Sequence, residues 1–389
     1  MDGRHARHGD PGSRTLRARL RALVFGGSAA IIALSAVVIA LRPADSTAAS
    51  ADPGAAGFPG SQSQSQSPGP GVASVSAPAS PSVAARPKLL FGVGTEADTA
   101  RVAPLTRQSP IHMLTSWYTG PTDLTRFAGW RTTVVPQSYN AGYALHLIVS
   151  SGDATSTLTT SSAPADAVTT KYGTACGRPY PLSIGFLSDM QQLAEIFAGA
   201  AHGPPLYVTL FSDFQSYPCL AGAWNPDPAT TNYYRALKDQ FTATEAIFHA
   251  NAPNARVSLG WDGRQTRTDD PADGGGRSLF AHFADLMKAS DFESVDAVGG
   301  DGNAADIAAT VRVLGAYGPV MVARYGPAGG TQATYDADMK ALFGPDGSVP
   351  RLVGEGLFAF SFSDDARLNA SAATYQLVES AVARYAGTW

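Results

Sequence analysis

Eight short apolar segments alternate with helical patterns between residues 88 and 389, and this alternation constrains the fold more than any other feature of the chain. The helical patterns are clearest at 183–200 and 230–250, where apolar residues recur three and four positions apart. Eight buried parallel strands that alternate with helices are what a (β/α)8 barrel requires. We therefore predict a single α/β TIM-type barrel over residues 88–389. The apolar segments are 88–94, 111–118, 143–150, 206–212, 256–261, 295–299, 319–325 and 352–361.

An open, doubly wound sheet is the alternative fold for the same alternation. The commonest reason to choose it is a glycine-rich phosphate-binding loop after the first strand. No Gly-x-Gly-x-x-Gly or Walker-type loop follows segment 88–94. The chain also lacks His-Glu-x-x-His and Gly-x-Ser-x-Gly, the signatures of common zinc hydrolases and serine esterases. We therefore favour the barrel and predict neither a cofactor nor a metal site.

Residues 22–41 contain no charge, and twenty helical residues rise about 30 Å, the thickness of the hydrocarbon layer of a membrane. The preceding segment 1–21 is rich in arginine, which favours its retention in the cytoplasm. The sequence thus predicts a transmembrane helix or uncleaved signal anchor that holds the rest of the chain at the extracellular face. A cleaved signal peptide is the alternative, because Ala49-Ser50-Ala51 has the form of a cleavage site, and the protein would then be secreted.

Residues 43–87 are rich in Pro, Ser, Gly and Ala, with Phe58 as the one aromatic residue. Such a composition cannot bury enough apolar surface to offset the entropy of ordering. We predict a disordered linker that separates the barrel from the membrane.

Charge and cysteine content narrow the possible partners. The formal net charge is −4, so a broad cationic surface for nucleic acid is not expected. The two cysteines, Cys176 and Cys219, fall after the third and fourth predicted strands, at the same end of a barrel. Since an exported chain meets oxidising conditions, we predict a disulfide between them.

Carboxylates follow several predicted strands at the end where a barrel carries its active site. Asp213, Asp262 and Asp301 follow the fourth, fifth and sixth strands, and Glu355 lies within the eighth segment. Glycosidic cleavage uses two carboxylates, and aromatic faces stack on sugar rings. The pattern indicates a carbohydrate chain as partner. Aromatic residues near the same strand ends are Trp117, Tyr118, Tyr217, Trp224, Trp261 and Tyr325.

The segment Pro205-Leu-Tyr-Val-Thr-Leu-Phe-Ser-Asp-Phe-Gln215, together with Asn254–Trp261, resembles glycoside hydrolase family 26 among the retaining barrel glycosidases. In that family the fourth strand reads Phe-His-Glu-Met-Asn, with Glu as the acid/base. The resemblance implies that Asp213 is the acid/base and that Gln215 stands at the Asn position of the substrate site.

The seventh strand, Pro319-Val-Met-Val-Ala-Arg-Tyr-Gly326, resembles the family's Pro-Val-Met-Ile-x-Glu-Phe-Gly nucleophile strand, but Arg324 occupies the nucleophile position. A guanidinium cannot be the nucleophile, and beside Asp213 it should lower the pKa of that carboxyl. Three interpretations follow. Asp262, Asp301 or Glu355 could act with water in an inverting reaction, Arg324 could bind an acidic sugar, or the domain could be a catalytically silent carbohydrate-binding barrel.

The sequence thus predicts a glycoside hydrolase-like enzyme that acts on an extracellular or cell-wall polysaccharide. The alternative is a silent carbohydrate-binding barrel tethered to the outer face of the membrane.

Overall fold

The computed structural model describes residues 88–150, 167–220, 227–269, 278–327, 331–363 and 365–389. The N-terminal segments 1–21, 22–41 and 43–87 lie outside these residues, so the predicted anchor and linker remain predictions. Within the described ranges, no helix combines the length and the hydropathy that a membrane crossing requires.

Eight of the ten strands in the described part of the chain form one closed barrel, and all their pairings are parallel. The barrel order is β1-β10-β9-β8-β7-β6-β3-β2. The predicted α/β barrel is therefore confirmed. The strands are β1 (Leu90–Val93), β2 (Met113–Tyr118), β3 (Ala144–Ser150), β4 (Ala167–Thr170), β5 (Gly173–Cys176), β6 (Leu206–Ser212), β7 (Ala255–Asp262), β8 (Glu293–Ala297), β9 (Val320–Tyr325) and β10 (Leu357–Phe362).

Helices follow every barrel strand, and their apolar faces pack against the outside of the barrel. The longest, α6, begins after Asp227, whose carboxylate accepts hydrogen bonds from the backbone N–H groups of Ala229 and Thr230. The helices are α1 (Ala97–Ala100), α2 (Pro104–Gln108), α3 (Thr122–Phe127), α4 (Val134–Asn140), α5 (Ile184–Phe197), α6 (Pro228–Asn251), α7 (Gln265–Asp269), α8 (Leu279–Ala289), α9 (Asn303–Leu314), α10 (Gln332–Phe343), α11 (Val349–Gly354), α12 (Asp365–Ala370) and α13 (Ala372–Tyr385).

The inside of the barrel is apolar near the N-terminal strand ends, where Met113 and Met321 pack together with other buried side chains. The next layer is polar. The ring nitrogens of His146 lie 3.3 Å from the hydroxyl of Thr115 and 2.9 Å from that of Thr209. Burial lowers the pKa of His146 to about 3, so the ring is neutral and can offer one donor and one acceptor.

A disulfide joins two connections at the C-terminal end of the barrel. Cys176 ends an antiparallel hairpin of β4 and β5 that the sequence analysis did not predict. It is bonded to Cys219, with 5.4 Å between the Cα atoms, so the predicted bridge is confirmed. The bridge spans 43 positions in sequence, and the entropy lost by the unfolded chain corresponds to about 4 kcal/mol of stabilisation.

The eighth predicted strand begins later than expected. Leu352 and Val353 belong to α11, and β10 begins at Leu357. Glu355 therefore lies at the N-terminal end of β10, where its carboxylate accepts a 2.7 Å hydrogen bond from Arg351. This position is at the opposite end of the barrel from the C-terminal strand ends, so the structure places Glu355 away from the other predicted catalytic carboxylates.

Candidate active site

Asp213 follows β6 directly, at the C-terminal mouth of the barrel. Its backbone is left-handed, with φ 60° and ψ 30°, and Phe211 also has a positive φ of 56°. Few residues other than glycine adopt this conformation. Ser212 lies between these two residues, and both its hydroxyl and its carbonyl are hydrogen-bonded. Its hydroxyl donates a 2.6 Å hydrogen bond to Oδ2 of Asp296, and its carbonyl accepts one of 2.7 Å from the Tyr217 hydroxyl.

Gly260 provides the space for this kink. Ser212 on β6 reaches Asp296 on β8 past the intervening strand β7, which carries Gly260. A Cβ atom at Gly260 would lie 2.9 Å from Cα of Ser212 and 2.9 Å from Cγ2 of Thr209. Glycine is therefore the residue that fits between the kink and the barrel interior.

Asp296 is a buried acid inside the mouth. It has no solvent exposure, and its Oδ1 atom has no hydrogen-bond partner among the described residues. Burial, and next the negative charge of Asp213, raise the pKa of Asp296 to about 7, against the opposing effects of Arg324 and the Ser212 hydroxyl. Asp296 thus keeps its proton to a higher pH than an ordinary aspartate.

Arg324 lies beside these acids. Its Nη1 is 3.9 Å from Oδ2 of Asp213, and its Cα is the register partner of the Cα of Asp296 in the β8–β9 pair. The guanidinium carbon lies 4.1 Å from the centroid of the Trp117 ring, which is within the range of a cation–π contact. Arg324 is therefore held mainly by stacking and only loosely by the ion pair.

The pKa of Asp213 is raised, because the effect of burial exceeds the opposing effect of Arg324. The negative charge of Asp262 raises it further. The sequence predicts a lowered pKa from the charge of Arg324, and that prediction is wrong because burial in the barrel mouth has the larger effect. The Asp213 side chain remains 38% exposed. A partly exposed carboxyl with a raised pKa is suited to donating a proton.

Asp262 ends β7 and is 19% exposed. Its two carboxylate oxygens accept hydrogen bonds from Nε and Nη2 of Arg264, at 3.1 and 2.7 Å. The backbone N–H of Arg264 adds a third, at 2.9 Å. The guanidinium fork compensates the charge of Asp262 and fixes the orientation of its carboxylate.

Asp301 lies on the same side of the barrel but in solvent. Its side chain is 89% exposed, and its nearest cation is Nη1 of Arg267, at 3.8 Å. The structure therefore does not bring Asp301 or Glu355 to Asp213, and of the four predicted catalytic carboxylates it places Asp213 and Asp262 together.

Most of the aromatic residues predicted to bind substrate are buried between the barrel and the helices. The hydroxyls of Tyr118 and Tyr325 donate to Asp189 at 2.8 Å and to Asp338 at 3.0 Å. Side chains alternate between the two faces of a strand, so Trp117 faces the mouth and Tyr118, the next residue, faces outward. The buried side chains are Tyr118, Tyr217, Trp261 and Tyr325.

Two further predicted substrate-binding residues have different outcomes. Gln215 is 5% exposed, and its amide oxygen and nitrogen have no hydrogen-bond partner among the described residues. Trp224 lies outside the described residues. Trp117 and Arg324 are thus the predicted binding residues that the described structure brings to Asp213.

Asp296 is the residue of this site that the sequence analysis did not identify. The signal for it was an acid within a short apolar strand, where its side chain has to face either the barrel interior or the helices. The predicted sixth strand, 295–299, begins two residues after the observed start at Glu293 and contains Asp296, but the pattern does not show which way this side chain faces.

Two features at the N-terminal end of the barrel are remote from this site. One is a cavity of about 740 Å³ whose lining includes Tyr207, Phe292 and Phe358. The other is a group formed by Glu245, His249 and Asp291, whose ligand-type atoms lie within 4.8 Å of one another. A 2.8 Å hydrogen bond between His249 and Asp291 accounts for the close approach of two of its members.

No family model matches the sequence, and no curated protein matches it. Solved structures that resemble the barrel include Bacteroides uniformis beta-glucuronidase 2, at 10% identity and a TM-score of 0.42 over 71% of this chain and 30% of that chain. A beta-galactosidase from Bacillus circulans sp. alkalophilus matches at 11% identity and a TM-score of 0.43, over 71% of this chain and 50% of that chain.

The YdhT protein from Bacillus subtilis matches at 13% identity and a TM-score of 0.48, over 77% of this chain and 87% of that chain. This chain thus spans less than a third of the length of the glucuronidase and half that of the galactosidase. Similarity at this level concerns the barrel and carries no information about activity.

Proposed function

We propose that the barrel is a glycoside hydrolase-like enzyme that cleaves an extracellular or cell-wall polysaccharide, with Asp213 as the proton donor. The observation that carries the proposal is the difference between two neighbouring carboxyl groups. Asp213 is partly exposed and has a raised pKa, whereas Asp262 is paired with the Arg264 guanidinium. Acid/base cleavage of a glycosidic bond uses two carboxyl groups whose environments differ in this way.

In the proposed reaction, protonated Asp213 donates its proton to the glycosidic oxygen as the bond between that oxygen and the anomeric carbon breaks. The leaving sugar departs as a neutral alcohol. A water molecule attacks the anomeric carbon, and Asp262 accepts the proton that this water loses. Arg324 has no acceptor atom, so water supplies the nucleophile at the position where the resembled family carries a carboxylate.

A carbohydrate-binding barrel without catalysis is the second candidate, and Arg324 favours it. Its guanidinium, backed by the Trp117 ring, offers donors to a sugar carboxylate beside an aromatic surface. In this case Arg324→Ala should weaken the binding of uronic-acid polymers more than that of neutral polymers, which isothermal titration calorimetry would measure.

For the location of the protein, we propose that residues 22–41 anchor the barrel to the outer face of the membrane through the linker 43–87. The uncharged segment and the arginines that precede it support this proposal.

Incubating the purified protein with neutral and uronic-acid polysaccharides, and measuring released reducing ends, tests the proposal. Asp213→Asn and Asp262→Asn should each lower turnover by at least about 100-fold while polymer binding persists. Asp239→Asn is the matched control, because Asp239 pairs with Lys171 on the surface. Binding without release would favour the second candidate, and full turnover in Asp213→Asn would reject the assigned donor.

A further inference from the structure

We propose that Asp296 is a positioning residue for Asp213, which it anchors through Ser212 and with which it shares Arg324. This inference rests on the proposed function and deepens it, because it assigns a role to a buried acid that cannot itself reach a polymer.

The anchor consists of a single short contact across the barrel interior. Ser212 lies between the two left-handed residues Phe211 and Asp213, and its hydroxyl donates to Oδ2 of Asp296 at 2.6 Å. The left-handed backbone of Phe211 and of Asp213 persists only when the surrounding structure holds it. A contact at Ser212, which lies between these two residues, therefore decides the direction of the kink. Asp296 therefore determines where the Asp213 carboxyl points.

The shared cation couples the charges of the two acids. Arg324 is the register partner of Asp296 and approaches Asp213 to 3.9 Å, while its buried Nε has no hydrogen-bond partner among the described residues. The single positive charge of Arg324 thus lies near two carboxyl groups. It can neutralise the negative charge of only one of them. The loss of a proton by either acid opposes its loss by the other.

The groups that act on this pair come from strands β6, β7 and β9 and from two connections of the barrel. Asp296 faces the Ser212 hydroxyl, Asp213, Arg324 and Asp262. Asp213 is in addition subject to the charges of Arg264 and Arg178. The arginines favour ionisation of Asp213, and Asp262 opposes it. Because the charge of Asp213 raises the pKa of Asp296, Asp296 keeps its proton while Asp213 ionises.

Two substitutions separate the anchoring role from the charge. Asp296→Asn keeps a carbonyl oxygen that can accept the Ser212 hydrogen bond but removes the titrating charge. Ser212→Ala removes the hydrogen bond but leaves the carboxyl group in place. The matched control is Asp338→Asn, since Asp338 is another buried acid that accepts hydrogen bonds, from Asn303 and Tyr325, outside the site.

The first measurement is the pH dependence of kcat/KM for the full-length chain. Ser212→Ala should lower kcat/KM by about 10- to 100-fold across the pH range, since Asp213 is then misplaced. Asp296→Asn should lower kcat/KM less than Ser212→Ala does, because its amide oxygen can still accept the hydrogen bond from the Ser212 hydroxyl. Asp338→Asn should leave kcat/KM unchanged. Wild-type kcat/KM in Ser212→Ala, or an equal loss in Asp296→Asn and Ser212→Ala, would overturn the inference.

A second measurement does not depend on activity. Protein labelled with ¹³C at the aspartate carboxyl groups allows Asp296 to be titrated by NMR. Its midpoint should fall in Asp213→Asn, which removes the charge that raises it, and stay unchanged in Asp338→Asn. An equal midpoint in wild type and Asp213→Asn would overturn the pairing. If the wild-type protein releases no reducing ends but the midpoint still moves, the proposed hydrolysis fails while the pairing stands.

Discussion

Nη1 of Arg324 and Oδ2 of Asp213 lie 3.9 Å apart; Arg324 is on β9, Asp213 directly follows β6, and two other strands separate β9 from β6. The contact therefore crosses the barrel mouth and does not follow its wall. The Trp117 ring, 4.1 Å from the guanidinium carbon, supports the arginine from β2. A substrate that enters the mouth would meet a carboxyl group, a cation and an aromatic ring.

Neutralising Arg324 should raise the pKa of Asp213 further. The Arg324 charge is the strongest influence that lowers this pKa, so Arg324→Gln leaves burial and Asp262 to act without it. We expect the ¹³C NMR midpoint of Asp213 to move to higher pH. Arg351→Gln is the control, because Arg351 pairs with Glu355 at the other end of the barrel. A fall in the midpoint would contradict the geometry described here.

Gly260→Ala should destabilise the protein and impair the site together. The added Cβ would lie 2.9 Å from a backbone atom of Ser212, which cannot move without disturbing the kink. We expect the free energy of unfolding, measured in urea, to fall by roughly 1–3 kcal/mol. Gly129→Ala should behave like wild type, since nothing lies within 4 Å of its added Cβ and its φ of −80° suits alanine. Wild-type stability in Gly260→Ala would show that β7 accommodates a side chain there.

Glu293→Gln should stabilise the protein at alkaline pH. Glu293 is fully buried on β8, and burial raises its pKa from 4.5 to about 9, although the nearby indole of Trp261 slightly opposes this. Neither oxygen has a partner at hydrogen-bonding distance among the described residues. Since the folded state binds a proton that the unfolded state releases, the free energy of unfolding falls as pH rises from about 4.5 to about 9.

Thermal unfolding at pH 5 and pH 8 measures this effect. Wild type should lose on the order of 4 kcal/mol between these values through Glu293 alone, and Glu293→Gln should not show this part of the loss. Glu195→Gln, at a residue 42% exposed, is the control. Identical pH dependence in wild type and Glu293→Gln would show that Glu293 is charged in the folded protein.

The barrel could be predicted because burial on both faces makes each parallel strand a continuous apolar run. The same signal failed at Glu355, since the apolar residues Leu352 and Val353 of a short helix directly precede the eighth strand. The hairpin of β4 and β5 was missed because its strands are four residues long and partly exposed. A run of apolar residues predicts that a strand is present more reliably than it predicts where the strand begins and ends.

The site was less predictable because it depends on which face of a strand each side chain occupies. Trp117 and Tyr118 are adjacent in sequence, yet one contacts Arg324 in the mouth and the other is buried against α5. Asp296 lies within the predicted segment 295–299, but the apolar pattern does not show whether its side chain faces the barrel interior or the helices. The disulfide needed less precision, because both cysteines lie in connections at one end of the barrel.

The left-handed backbone at residue 213 also favours aspartate over glutamate at this position. Asp enters this conformation several times more readily than most residues, whereas the family that the fourth strand resembles carries Glu at the matching position. The Asp carboxyl lies one methylene, about 1.5 Å, closer to the main chain. If Asp213 is the proton donor proposed above, a bound polymer has to enter the mouth more deeply than it would for a glutamate. We expect the barrel mouth to admit unbranched chains. It should exclude, by steric clash, chains that are branched beside the scissile bond.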